Sequence, residues 1–207
     1  MKVEQFFSMS KPDAGGDNWR RVLSNFFPCK VEVEGRTYAS IEHAFQGQKA
    51  LASAPLDASL SASERDDQRR AFAAQFESHG VLGKEKASVA KRSGSKKAYA
   101  SAGMKLDAAL WNRKRDAVMR TAVLERAATD KVYADILGRF QDGDVYLLHF
   151  ERGGKRAYWG GSIAAATGAV QGENKLGKIM MAVAREMRSA SVAVDAERLC
   201  QKEGKHA

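Results

Sequence analysis

One segment, Ser40-Ile-Glu-His-Ala-Phe-Gln-Gly-Gln-Lys49, carries residue types suited to acid–base chemistry at helical spacing. Glu42, Gln46 and Lys49 stand at i, i+4 and i+7, which puts a carboxylate, an amide and an amine on one face. A carboxylate and an amine can move protons and stabilise charge that develops during a reaction. The same pattern also occurs on plain solvated helix faces. Ile41, Ala44 and Phe45 form the face expected to be buried. His43, at its edge, reads as a satisfied core histidine, because no His/Cys/Asp grouping with metal spacing exists in the chain. Gly47, in mid-helix, costs about 1 kcal/mol against alanine and marks a close approach by something else.

A second group lies far along the chain, in Ala157-Tyr-Trp-Gly-Gly161 and Glu173-Asn-Lys-Leu-Gly-Lys178. Tyr158 and Trp159 running into Gly160 read as a flat stacking surface beside backbone that a ligand can approach. Asn174 at a helix start, with Lys175 next to it, offers N–H groups and positive charge to a phosphate. Glycine turns and helix caps also occur widely without any ligand. The third piece is Ser24-Asn25-Phe26, a polar pair inside the apolar run 23–28, which by itself fits an edge strand with a turn.

In combination these pieces resemble the NADAR (YbiA-like) family. The resemblance rests on Leu-Ser-Asn-Phe-Phe-Pro at 23–28, Tyr-Ala-Ser-Ile-Glu-His-Ala-Phe-Gln-Gly-Gln-Lys at 38–49, Trp111 in Trp-x-x-x-Arg-x-x-Val-Met-Arg, Tyr-Trp-Gly-Gly at 158–161 and Gly-x-Asn-Lys-Leu-Gly-Lys-x-Met-Met at 172–181. It runs from about 23 to 185. It implies a small α+β fold and an N-glycosidase site acting on ADP-ribosylated guanine or on riboflavin-pathway ribosylamine phosphates. Some members are antitoxins of a DarT-type ADP-ribosyltransferase toxin. Carried over by residue, the resemblance makes Glu42 and Lys49 catalytic, with Ser24, Asn25, Phe26, Gln46, Trp111, Tyr158, Trp159, Gly160, Asn174 and Lys175 lining the pocket. Many relatives carry an aspartate where this chain has Gly161, so a non-catalytic ADP-ribose-binding module is a further reading.

Such a site needs a scaffold and a partner surface. The net charge of +9 is concentrated: 84–120 holds eleven Lys/Arg against three acids. Clustered positive charge is the footprint of a polyanion-binding surface, and a solvated basic face is the plainer alternative. On the first reading Lys91, Arg92, Lys96, Lys97, Arg113, Lys114 and Arg115 contact nucleic acid, DNA in preference to RNA. No metal or cofactor is expected. With two distant cysteines, Cys29 and Cys200, no disulfide framework is expected either. No apolar run reaches about 18 residues, and the first ten residues do not read as a secretory signal, so a cytoplasmic protein is expected.

The pattern predicts a hairpin over 29–39 and helices over 40–52, 61–78, 85–91, 107–127 and 130–140, with turn chemistry at 92–97. It also predicts a strand over 144–150 and a last helix from Asn174 with Leu176, Ile179, Met180, Val183 and Met187 as its core stripe. The fold class expected is helix-rich α+β, with 1–188 as one catalytic domain and 189–207 as a polar tail that is frayed or an interaction handle.

Overall fold

The computed structural model describes residues 2–203, and for 191–203 the backbone alone. In chain order the elements are β1 (Lys2–Phe6), α1 (Trp19–Val22), β2 (Val31–Val33), β3 (Arg36–Tyr38), α2 (Ile41–Ala50), β4 (Ser53–Pro55), α3 (Ala62–Ala74), α4 (Ala87–Ser93) and α5 (Lys96–Ser101). They continue with β5 (Met104–Leu106), α6 (Ala108–Thr129), α7 (Lys131–Gly138), β6 (Val145–His149), a 3-10 turn (Gly154–Arg156), β7 (Ser162–Ile163), β8 (Val170–Gln171) and α8 (Lys175–Glu203). The fold is α+β and helix-rich, with short strands in two-stranded pairs. Two compact units are present: Phe7–Asp130, and Met1–Phe6 together with Lys131–Ala207.

Within Phe7–Asp130, α2 is the central element. Nine of its ten residues are buried, Lys49 excepted, and α3, α4, α6, β2 and β3 pack around it. Its start is fixed by Ser40, whose extended backbone lets the side-chain oxygen accept from the His43 amide. Gly47 is explained by Tyr38, since a Cβ there would stand 2.6 Å from the Tyr38 ring. The close approach is therefore core packing from β3. The β2–β3 hairpin turns through Glu34 and Gly35, both at positive φ (51° and 71°), as a two-residue primed turn requires. Ser61 and Glu64 form the capping box expected for α3, and Asp107 accepts from the Leu110 amide to open α6.

Behind α2, the run 23–28 is a loop rather than an edge strand, and it is pinned from below. Arg126, fully buried on α6, donates to the Val22 carbonyl at 2.9 Å and to Asp130 at 3.1 Å. Its guanidinium also lies 5.2 Å from the Phe27 ring centroid.

In the other unit, β1 pairs in parallel with β6, Lys2 opposite Val145 through Phe6 opposite His149. Leu176, Met180 and Val183 are buried as expected, joined by Met181 and Ala184, whereas Ile179 and Met187 are half-buried. The stretch after 188, expected to be frayed or an interaction handle, continues as α8 to Glu203; it is free of Pro and Gly up to Gly204. Residues 204–207 of that tail, and the side chain of Cys200, lie outside the described residues. Among the described residues no helix is long and apolar enough to cross a membrane.

Candidate functional site

The helical face read from the sequence exists, and in the folded chain it faces protein. Glu42 is 6% exposed and accepts a hydrogen bond from Gln46 Nε2 at 2.8 Å. Lys49 Nζ donates to the Gly94 carbonyl at 2.6 Å and lies 5.7 Å from the Tyr99 ring centroid. Burial holds the Lys49 amine below its usual pKa, and the nearby Glu42 charge partly offsets this. Gln46 and Lys49 both meet Gly94, where a Cβ would stand 1.8 Å from Gln46 Oε1. Only glycine at the α4–α5 junction lets the amide lie there.

The loop 23–28 covers the start of α2. The Asn25 carbonyl accepts from the Glu42 amide at 3.0 Å, and Ser24 Oγ accepts from the Phe26 amide at 3.2 Å. Asn25 Nδ2 lies 3.4 Å from Met119 Sδ. Two buried amide oxygens, Asn25 Oδ1 and Gln46 Oε1, have no hydrogen-bond partners; the first belongs to the loop whose backbone carbonyl takes the Glu42 amide, the second to the side chain that donates to Glu42. A buried, unmet acceptor costs about 1–3 kcal/mol, a cost that a donor-bearing ligand would relieve.

His43 is 2% exposed, takes a hydrogen bond from Ser40 Oγ at 2.7 Å and donates from Nε2 to the Glu85 carbonyl at 3.1 Å. It is a core residue, and burial lowers its pKa. Trp111 is 5% exposed and meets Phe45 edge-on at 4.8 Å and 65°. It forms a wall of the α2–α6 packing and has no open stacking face.

Next to Lys49 opens a cavity of about 720 Å³, lined by Leu56, Gly94, Lys96, Tyr99, Ala100, Met104, Lys105, Leu106 and Ala108. Tyr99 is held by an edge contact with Phe72 at 5.1 Å, and its buried hydroxyl has no hydrogen-bond partner. Gly94 and Tyr99 carry no sequence signal that joins them to α2. Gly94 ends α4 and Tyr99 lies on α5, whereas the sequence reads as a turn over 92–97. Of the seven basic residues singled out, six are exposed. Arg115 is half-buried, 3.9 Å from Asp116. Lys91 Nζ sits 5.6 Å from the Phe26 ring centroid.

The glycine-rich residues of the other unit differ from expectation in two respects. Tyr158 and Trp159 meet at 89°, so they present two separate faces and no common flat surface. The α8 start is also not open to a phosphate: its Lys175 and Leu176 amides donate to the Tyr158 and Trp159 carbonyls, at 3.1 and 3.0 Å. Asn174, at φ 48°, gives its side chain to β6 instead, with Oδ1 accepting from the His149 amide at 3.0 Å and Nδ2 donating to the Leu147 carbonyl at 2.8 Å. Lys175 Nζ lies 5.7 Å from the Tyr158 ring centroid. Gly161 has a packing cause, because a Cβ there would stand 2.0 Å from the Gln171 carbonyl on β8. One carboxylate here is absent from the sequence reading: Glu151 accepts from the Gly160 amide at 3.1 Å. Among the described residues no three His, Cys, Asp or Glu side chains group to hold a metal.

The family model of the NADAR domain matches residues 6–188. The NMR structure of the E. coli protein YbiA superposes with a TM-score of 0.56 at 22% identity, covering 93% of this chain and 88% of that one. No curated protein sequence matches.

Proposed function

Because the chain belongs to the NADAR family, we propose that it is an N-glycosidase that hydrolyses the bond between ADP-ribose and guanine in nucleic acid. The family is associated with N-glycosidase chemistry; the guanine-linked substrate goes beyond that. The observation that carries the reading is the buried Glu42 carboxylate held by Gln46, whose amide oxygen is unmet, with a desolvated amine two turns along the same helix.

Cleaving the anomeric C–N bond builds positive charge on the ribose and negative charge on the departing nitrogen. Glu42 is suited to both ends of that change. Its carboxylate stabilises the ribose cation, and it relays a proton from the attacking water to the departing nitrogen. Water oxygen bonds to the anomeric carbon of the ADP-ribose, the bond from that carbon to the guanine nitrogen breaks, and the guanine nitrogen keeps the proton. Asn25 Oδ1 and Gln46 Oε1 accept from ribose hydroxyls or base N–H groups, which orients the substrate. Lys49 either balances the diphosphate charge or, as the neutral amine, condenses with the opened ribose aldehyde to a Schiff base, releasing water. The nucleic acid is supported by the exposed Lys/Arg cluster on α4, α5 and the first half of α6.

The test is release of free ADP-ribose from an oligonucleotide carrying ADP-ribosylated guanine. Release expected at the rate of an enzyme would support the reading. Tight binding without release would leave an ADP-ribose-binding module, and turnover confined to ribosylamine phosphates would replace the polymer with a small substrate.

A further inference from the structure

We propose that the cavity beside Lys49 is a seat for one unstacked nucleotide of a single-stranded nucleic acid, its base against Tyr99, Met104 and Leu106 and its phosphates on Lys96 and Lys105. The proposal rests on the nucleic-acid reading above and specifies what that surface holds.

Size comes first. About 720 Å³ lies inside the range of roughly 300–1,000 Å³ typical of small-ligand pockets, ample for a base with its sugar. The wall chemistry comes second. Leu56, Tyr99, Ala100, Met104, Leu106 and Ala108 make most of the lining apolar, and the small side chains of Ala100 and Ala108 leave width for a flat ring. Charge comes third. Three lysines border one apolar space: Lys49, half-buried, and Lys96 and Lys105, both exposed. A ligand with a single carboxylate would leave most of that charge unmatched, whereas a sugar–phosphate chain brings an anion on each side of its base. The cavity also sits within the stretch that carries most of the net positive charge, so a strand drawn to that surface meets it.

Sequence-tolerant single-strand binding combines a base seated on apolar and aromatic walls with phosphates on cations, and the two parts respond differently to salt. The experiment is equilibrium binding of an unmodified, fluorescently labelled decanucleotide across a salt series. Ala100→Leu with Ala108→Leu fills the cavity from two exposed helical positions. It is expected to weaken binding about tenfold at every salt concentration, with the slope of log K against log salt unchanged. Lys96→Ala and Lys105→Ala are each expected to reduce that slope by about 0.7, the value for one lost phosphate contact on a single strand. A strand containing 5-iodouracil should photo-cross-link to the tryptic peptide 98–105, which holds Tyr99 and Met104.

The proposal is overturned if the double leucine variant binds as wild type does, or if cross-links fall only outside 98–105. It is equally overturned if the unmodified strand does not bind, or if dodecanoate, but no strand, binds in a way the leucines abolish, which would assign the space to an acyl chain. None of these results touches release of ADP-ribose, so failure of the seat and failure of the glycosidase reading are told apart.

Discussion

Glu42→Gln keeps the size and the hydrogen bond with Gln46 within reach while removing the negative charge and the capacity to relay a proton. Turnover is expected to fall at least a hundredfold, the lower part of the range of about 10²–10⁴ for general acid–base groups, with substrate affinity within a few-fold of wild type; single-turnover kinetics with a binding titration would read both. Lys49 separates charge from nucleophilicity. Lys49→Arg retains a cation but cannot form a reducible Schiff base, so borohydride trapping of the opened sugar should vanish. A neutral amine is the attacking form, and burial holds Lys49 below its usual 10.5. The wild-type trapping rate should therefore rise with pH to a midpoint below that value, and a midpoint at or above it would reject the desolvated amine. His43 governs stability instead. Its folded pKa lies below the ordinary 6.5, so the unfolded chain takes up the proton first as pH falls. The stabilising contribution is complete above about 6.5 and declines as pH drops toward the folded value. Melting curves between pH 7 and pH 5 should show a smaller drop in His43→Gln than in wild type.

The elements divide by how locally their cause is written. Ser40, Ser61 and Asp107 cap helices within their own first turns, so α2, α3 and α6 could be read residue by residue, as could the Glu42–Gln46–Lys49 face. The strand β1 could not: Lys-Val-Glu-Gln-Phe alternates poorly, and its partner β6 lies far along the chain. The helix α5 was hidden by the Gly94-Ser95 pair, which reads as a turn, although Ser95 caps a helix there by accepting from the Ala98 amide. The same distance effect hid half of the site, because Gly94 and Tyr99 reach Lys49 only through tertiary packing. Two glycines test these contacts. Gly47→Ala gains about 1 kcal/mol of helix propensity, yet its Cβ would strike the rigid Tyr38 ring. A net loss of about 1–3 kcal/mol is expected from overpacking, measurable by urea unfolding. Gly94→Ala meets the movable end of Gln46 instead, so its urea midpoint should stay close to wild type. Displacing that amide from Glu42 should still lower turnover about tenfold.

At the scale of the whole chain, charge is distributed unevenly enough to predict behaviour in salt. If the exposed lysines and arginines of 84–120 hold phosphates, KM for a polymeric substrate should climb steeply between 50 and 200 mM salt. Six contacts or more correspond to a change of about a thousandfold on duplex DNA, and KM for free mononucleotide substrates should barely move. A flat response for the polymer would reduce the cluster to a solvated surface. The pairing of β1 with β6 bears on how the chain comes into being. The unit Phe7–Asp130 is one unbroken stretch, whereas the other is assembled from segments that precede and follow it in sequence. On a ribosome adding about 5–20 residues per second, β1 emerges well ahead of β6 and waits on the order of ten seconds for its mate. The charges of Lys2 and Glu4 keep that waiting strand from becoming an adhesive edge, and the unit Phe7–Asp130 has its full sequence before β1 has a partner.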